Sequence, residues 1–191
     1  MRIHLHRKSL LGLGVVLLSA CGPDAQEDAA PEMGQTSQRL INVLANGSFE
    51  TAPSLGYSNY ITLSSSTTGL TGWTVQNSVQ LMSNTYKTPA QGTRSINLSY
   101  GGVTQTFPTV VGAGYTVQFS LSTSPACATS TRTMDVSVNG TTYNFSTSSA
   151  SWATRSFVFN AAGTSATIVF KNTYTGQICG PAVDAISVMG P

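Results

Sequence analysis

Beyond about residue 40 the hydrophobic positions recur every second residue in short runs. In Tyr115 to Ser122, Tyr115, Val117, Phe119 and Leu121 fall on one side, and Thr116, Gln118, Ser120 and Ser122 on the other. That period of two marks a strand with one buried face. Further strands are expected at Trp73 to Met82, Arg94 to Ser99 and Val103 to Phe107, and then at Met134 to Val138 and Thr142 to Phe145. Arg155 to Asn160, Ala166 to Lys171 and Val183 to Met189 complete the set. Asn139-Gly140 between two of these runs predicts a two-residue hairpin, because both central positions of a type I′ turn need positive φ. No helical period with caps follows residue 40. About nine short strands in this length predict an all-β antiparallel sandwich of the jelly-roll kind, occupying residues 41–191. A chain of that size buries roughly 68–70% of its unfolded surface, enough for one core.

The first 40 residues read differently. Arg2, Arg7 and Lys8 precede the apolar run Leu10 to Leu18, which is far short of the ~20 residues needed to span a bilayer. Residues 1–20 are therefore expected to be a signal peptide. Leu18-Ser19-Ala20-Cys21 resembles the lipobox of bacterial lipoproteins, which implies lipidation at Cys21 and membrane attachment through that lipid. The other reading is an ordinary signal peptide with an incidental Cys21. Gly22 after the cysteine points to the outer membrane or cell surface. Residues 21–40 carry Asp24, Glu27, Asp28, Glu32, Pro23 and Pro31 and no aromatic residue, which predicts a disordered tether. As a flexible coil, Gly22 to Gln38 would reach roughly 20–25 Å.

Composition narrows the chemistry. Only 8% of residues are charged, while 25 Ser and 26 Thr among 191 residues make a surface polar through hydroxyls. From Cys21 onward six basic residues face seven acidic ones, so the basic field that nucleic-acid binding requires is missing. Both histidines, His4 and His6, lie ahead of the apolar run. Once the leader is removed, His-based triads, His-liganded zinc and His general bases are excluded together. Cys127 and Cys179 remain after Cys21. In an oxidising compartment they are expected to pair, closing a loop whose constraint is worth ~4 kcal/mol on the loop-entropy model, the alternative being two buried thiols.

An ordered set of short words runs through the domain: Asn46-Gly47-Ser48-Phe49-Glu50, Gly72-Trp73-Thr74-Val75, Gly102 to Phe107, Gly114 to Leu121, Trp152 with Phe157 to Ala161, and Cys179-Gly180-Pro181-Ala182-Val183-Asp184. Together they resemble the choice-of-anchor C family of bacterial surface proteins and the related plant cell-wall family called domain of unknown function 642. The resemblance spans residues 42 to 189. It implies a galactose-binding-like β-sandwich in a cell-surface setting and, for the plant members, association with wall polysaccharides such as pectin. In that family the late Asp is often followed by Asn or Asp, whereas Ala185 follows here.

The folded domain holds three carboxylates, Glu50, Asp135 and Asp184. Glu50 is expected to end the first strand and Asp184 to lie in the last, so the two can meet. Similar modules imply a structural Ca2+ held by an early Glu and a late Asp, since hard cations want several oxygen ligands. Two other readings stand beside it: hydrogen-bonded structural acids, or the acid pair of a carbohydrate hydrolase. Asp135 reads as a solvent-facing strand charge. Sugar contacts are expected from Tyr57, Tyr60, Tyr86 and Tyr100, which fall in loops or strand ends, while Trp73 and Trp152 read as core. Arg94 and Arg155 read first as surface or strand-edge charges, the other reading being a forked grip on a sugar carboxylate. The expected function is non-catalytic docking on a polysaccharide or cell-envelope glycan. The alternatives are a structural or adhesive envelope component with a protein partner and, behind it, the hydrolase.

Overall fold

The computed structural model describes residues 39–127, 130–175 and 179–191. The expected leader, Cys21 and the expected tether as far as residue 38 lie outside the described residues.

Strands form where the alternating runs predicted them, and they stack as two antiparallel sheets. The first sheet contains β1 (Ile41–Asn42), β2 (Tyr60–Ser64), β4 (Ser78–Ser83), β5 (Arg94–Asn97), β7 (Gly114–Thr123), β10 (Ala153–Asn160) and β12 (Pro181–Gly190). Its order is β10-β7-β12-β5-β4-β2, with β1 also paired to β12. The second sheet contains β3 (Thr74–Gln76), β6 (Gly102–Pro108), β8 (Arg132–Val138), β9 (Thr141–Thr147) and β11 (Ser165–Asn172), in the order β3-β6-β11-β8-β9. One 3-10 turn at Pro125–Cys127 is the only helical element among the described residues.

The inward residues of the two sheets form the core. Val117, Phe119 and Leu121 of β7 are fully buried, as the alternation required, and so are Ile168 and Phe170 of β11 and Met134 and Val136 of β8. Phe119 sits edge-on to Phe170 at 5.2 Å and to Phe145 at 5.0 Å, geometries that aromatic quadrupoles favour. The Asn139-Gly140 hairpin is present, with φ of 48° and 89°.

The stretch from Trp73 to Met82 is two strands and not one. Asn77 takes φ 56°, and the chain crosses there from the second sheet (β3) to the first (β4). Two strands escaped the pattern. β2 is an edge strand with a single buried residue, Leu63, and β1 has only two residues. Glu50 does not end a strand; it follows Phe49, whose φ of 60° turns the chain out of extended geometry. Cys179 is disulfide-bonded. The side chain of Cys127, its expected partner, lies outside the described residues.

Candidate functional site

The Asn-Gly-Ser-Phe-Glu word is a structural knot. Asn46 takes φ 50°. Its side-chain Nδ2 donates to the carbonyls of Thr51 and Thr71, both at 2.9 Å, and its Oδ1 accepts from Thr51 N–H at 3.0 Å. Its own carbonyl accepts from Trp73 Nε1 at 2.9 Å. A Cβ on Gly47 would lie 1.8 Å from the Ile186 carbonyl oxygen, so only glycine lets this loop reach β12. Phe49 is then driven into the core against Trp73, 5.6 Å between rings. Trp73 is core, as its setting predicted.

Glu50 emerges from the knot, and its carboxylate caps a backbone turn. Oε1 accepts from the N–H groups of Thr93 and Arg94 at 2.8 and 2.9 Å, and Oε2 accepts from Thr93 Oγ1 at 2.7 Å. Asp184 grips the same turn from the other side. Its Oδ2 accepts from Ala90 and Gln91 N–H at 2.7 and 2.9 Å, and its Oδ1 from Ala185 N–H at 2.7 Å. Gly92 lies between the two carboxylates at φ 70°, and a Cβ there would meet Glu50 Oε1 at 2.4 Å. Asp184 is wholly buried. Burial pushes its carboxyl up to about 6, against the pull of three N–H bonds and with a smaller push from Glu50.

The two acids thus come together, as the sequence reading allowed, but around amides. Calcium wants six to eight oxygen ligands. Here every carboxylate oxygen faces an N–H or O–H donor, and the Asn46 amide stands between the carbonyls of Thr51 and Thr71. Among the described residues no group of three or more His, Cys, Asp or Glu is placed to hold a metal ion. This donor set does not fit a bound Ca2+. Asp184 is closed off from any substrate, whereas Glu50 is exposed, with both of its oxygens hydrogen-bonded to residues 93 and 94.

The clasped turn forms one wall of a cleft of ≈ 450 Å³. Thr93 and Arg94 face the loop carrying Ser54, Leu55 and Tyr57 and the turn carrying Ser83, Asn84 and Thr85. The two loops are tied together: Ser83 N–H donates to the Asn59 carbonyl at 2.9 Å, and Thr85 Oγ1 to Asn59 Oδ1 at 3.3 Å. Tyr57 stands free in solvent. Tyr60, the first residue of β2, and Tyr86, beyond the end of β4, pack ring to ring at 5.2 Å and 49°; burial, then the neighbouring Tyr60, raises the Tyr86 phenol. The Arg94 guanidinium is half-buried and donates from Nη1 to the carbonyls of Ala52 and Pro53 at 3.0 and 3.4 Å. Its hydrogen-bond partners are neutral, because the Glu50 carboxylate is committed to amides and the Thr93 hydroxyl.

The remaining candidates lie elsewhere. Tyr100 is exposed beyond the far end of β5 from Arg94, and Arg155 is on β10, the opposite edge strand from β2. Asp135 accepts from Asn144 Nδ2 at 2.6 Å beside Lys171, its register partner. Trp152 is half-exposed and outside the core, because its ring carries the Lys87 ammonium at 4.6 Å and its Nε1 donates to the Thr88 carbonyl at 2.8 Å. Lys87 also donates to the Ala150 carbonyl, and burial lowers its pKa. Sequence reasoning missed the hydroxyl and amide lining, Ser54, Ser83, Asn84, Thr85 and Thr93. The chain is so rich in Ser and Thr that nothing local distinguishes them.

A family model described as "Protein of unknown function (DUF642)" matches residues 42–189. No curated protein matches the chain. Among solved structures, the chain is similar to a CBM4 module (13% identity, TM-score 0.46, 78% of this chain and 99% of that one). It is also similar to TmCBM61 in complex with β-1,4-galactotriose (16%, 0.47, 79% and 99%) and to CBM35 from Cellvibrio japonicus Abf62 (16%, 0.48, 68% and 91%). These TM-scores, below one half, leave the sandwich description resting on the sheets themselves.

Proposed function

Since the chain belongs to the DUF642 family, which carries no assigned activity, its function has to be argued from its own cleft; we propose that this is a lipid-anchored surface module that binds polysaccharide without cleaving it, through the cleft between Tyr57 and Arg94. One observation carries the reading. An arginine hydrogen-bonded only to carbonyls through its side chain shares a hydroxyl-lined cleft with a free tyrosine, beside a paired set of two more. Aromatic faces offer rigid apolar area for sugar rings, and Ser, Thr and Asn side chains supply adaptable hydrogen bonds. The guanidinium fork matches a carboxylate, so uronate-bearing glycans are the preferred class. Loops on a rigid sandwich are a common place for such contacts. Against the hydrolase alternative stands the burial of Asp184, which takes one of its two acids out of reach of a substrate.

Electrophoresis through gels containing polygalacturonate, neutral galactan or xylan tests this. Retardation is expected most strongly in polygalacturonate, reduced by about tenfold in affinity in Tyr57→Ala and in Arg94→Gln, a loss typical of one contact residue. Equal mobility in every gel would remove the proposal, and release of reducing sugar by purified protein would replace it with the hydrolase.

A further inference from the structure

One end of the sandwich breaks the hydroxyl-rich pattern of its surface. Four of the five strongly exposed large aliphatic side chains among the described residues gather there: Leu40, Ile41, Val110 and Val111, between 51% and 61% exposed. Ile41 and Val110 flank an apolar groove of ≈ 170 Å³ with Val43, Pro108 and Pro191. Neither segment is loose. Ile41 is paired to Gly190 in the β1–β12 ladder. Val110 donates its N–H to Tyr115 Oη at 2.9 Å, and its carbonyl accepts from Ala113 N–H at 3.0 Å. Gly112 at φ 78° gives this turn type II geometry, and its N–H donates to the Ala161 carbonyl at 2.8 Å. Two β-branched aliphatic residues are thus held outward where turn chemistry favours Pro, Asn or Ser. A local rule broken in an ordered turn is expected at a functional or a strained site.

We infer that this end seats on the phospholipid interface to which the chain's own acyl group holds it, an inference that rests on the acylation of Cys21. The chain's path favours a bilayer over a second copy. Leu40, inside the patch, follows Cys21 by only nineteen residues, so along the chain this end is the part of the domain nearest the acyl group. The segments that form the patch, 39–43, 108–115, 161–165 and 189–191, contain no Asp or Glu, and exposed Arg39 stands beside it. Anionic headgroups therefore meet no repulsion there. Aliphatic side chains entering the headgroup boundary strengthen a lipid anchor by removing apolar area from water.

The full-length protein, purified from membranes and reconstituted into phosphatidylcholine–phosphatidylglycerol vesicles, gives the test. A tryptophan is placed by Val111→Trp or, at the other end of β6 from Pro108, by Tyr100→Trp. The Val111→Trp emission is expected to shift to the blue and to be quenched by lipids with brominated acyl chains, with neither change for Tyr100→Trp. Acylated protein in which the two report alike overturns the seating while leaving the glycan reading untouched. Protein whose mass shows no acyl group overturns the anchored reading and this inference with it. Dimers in solution that Val111→Asp disperses would give the patch to a second copy and also overturn it.

Discussion

Asp184 is an acid built into the middle of a sheet, and its environment works in two directions. Three backbone N–H groups stabilise the anion, while burial, aided by Glu50, favours the neutral form and leaves its pKa at about 6. The folded value lies above the ordinary carboxyl value of 3.8, so the folded state holds the proton more tightly. The resulting stabilisation is complete below about pH 4 and is lost as pH rises through about 6, a change of order 2–3 kcal/mol. Thermal melts are therefore expected to show a Tm that falls between pH 4.5 and 6.5. Asp184→Asn should flatten that slope and lower the Tm throughout, because one amide oxygen cannot serve three donors. A wild-type Tm that rises across this window would contradict the assignment. The next residue carries strain of its own. Ala185 sits at φ 50°, where the pairing of β12 with β7 shifts register. L-residues other than Gly, Asn and Asp pay about 1 kcal/mol for that conformation. Ala185→Gly, or the Asn that the family pattern favours, should raise the Tm by a few degrees; no gain would mean that the strain is relieved elsewhere.

At the scale of elements, the turn from Ala90 to Arg94 owes its shape to two carboxylates from opposite ends of the chain. Gly92→Ala adds a Cβ at positive φ into Glu50 Oε1, and a loss of about 1–3 kcal/mol is expected from urea melts. Because Thr93 and Arg94 wall the cleft, Glu50→Gln should weaken glycan binding as well as stability, by displacing them. Chelator should leave the Tm unchanged, since the acids already hold amides; a fall on chelation would show that a cation belongs in the clasp. The alternation in β7, β8 and β12 was readable because one face of each strand meets the core. The Asn139-Gly140 turn was readable because its φ values demand those residues. Neither signal is present in β2, with one buried residue, or at the crossing at Asn77, which depends on pairing with distant strands.

For the molecule as a whole, the sequence brought Glu50 and Asp184 together correctly but could not say what lies between them. The answer depended on backbone amides, which carry no residue signature. The same limit applied to the cleft. Of the four expected tyrosines, Tyr57 lines it, and Tyr60 and Tyr86 pair beside it because β2 and β4 pair in register from Tyr60 and Met82, whereas Tyr100 belongs to another end. Arg94 drew notice for its charge; its value lies in a clasp that leaves the guanidinium with carbonyls. The clasp, Arg94 and Tyr57 meet at one surface, and amide chemical-shift mapping during titration with oligogalacturonate reads that surface directly. Shifts are predicted to concentrate at residues 54–58, 83–86 and 93–94, with saturation and an unchanged ligand spectrum. A titration that leaves those amides still, moves a different face, or shortens the oligosaccharide would contradict the account.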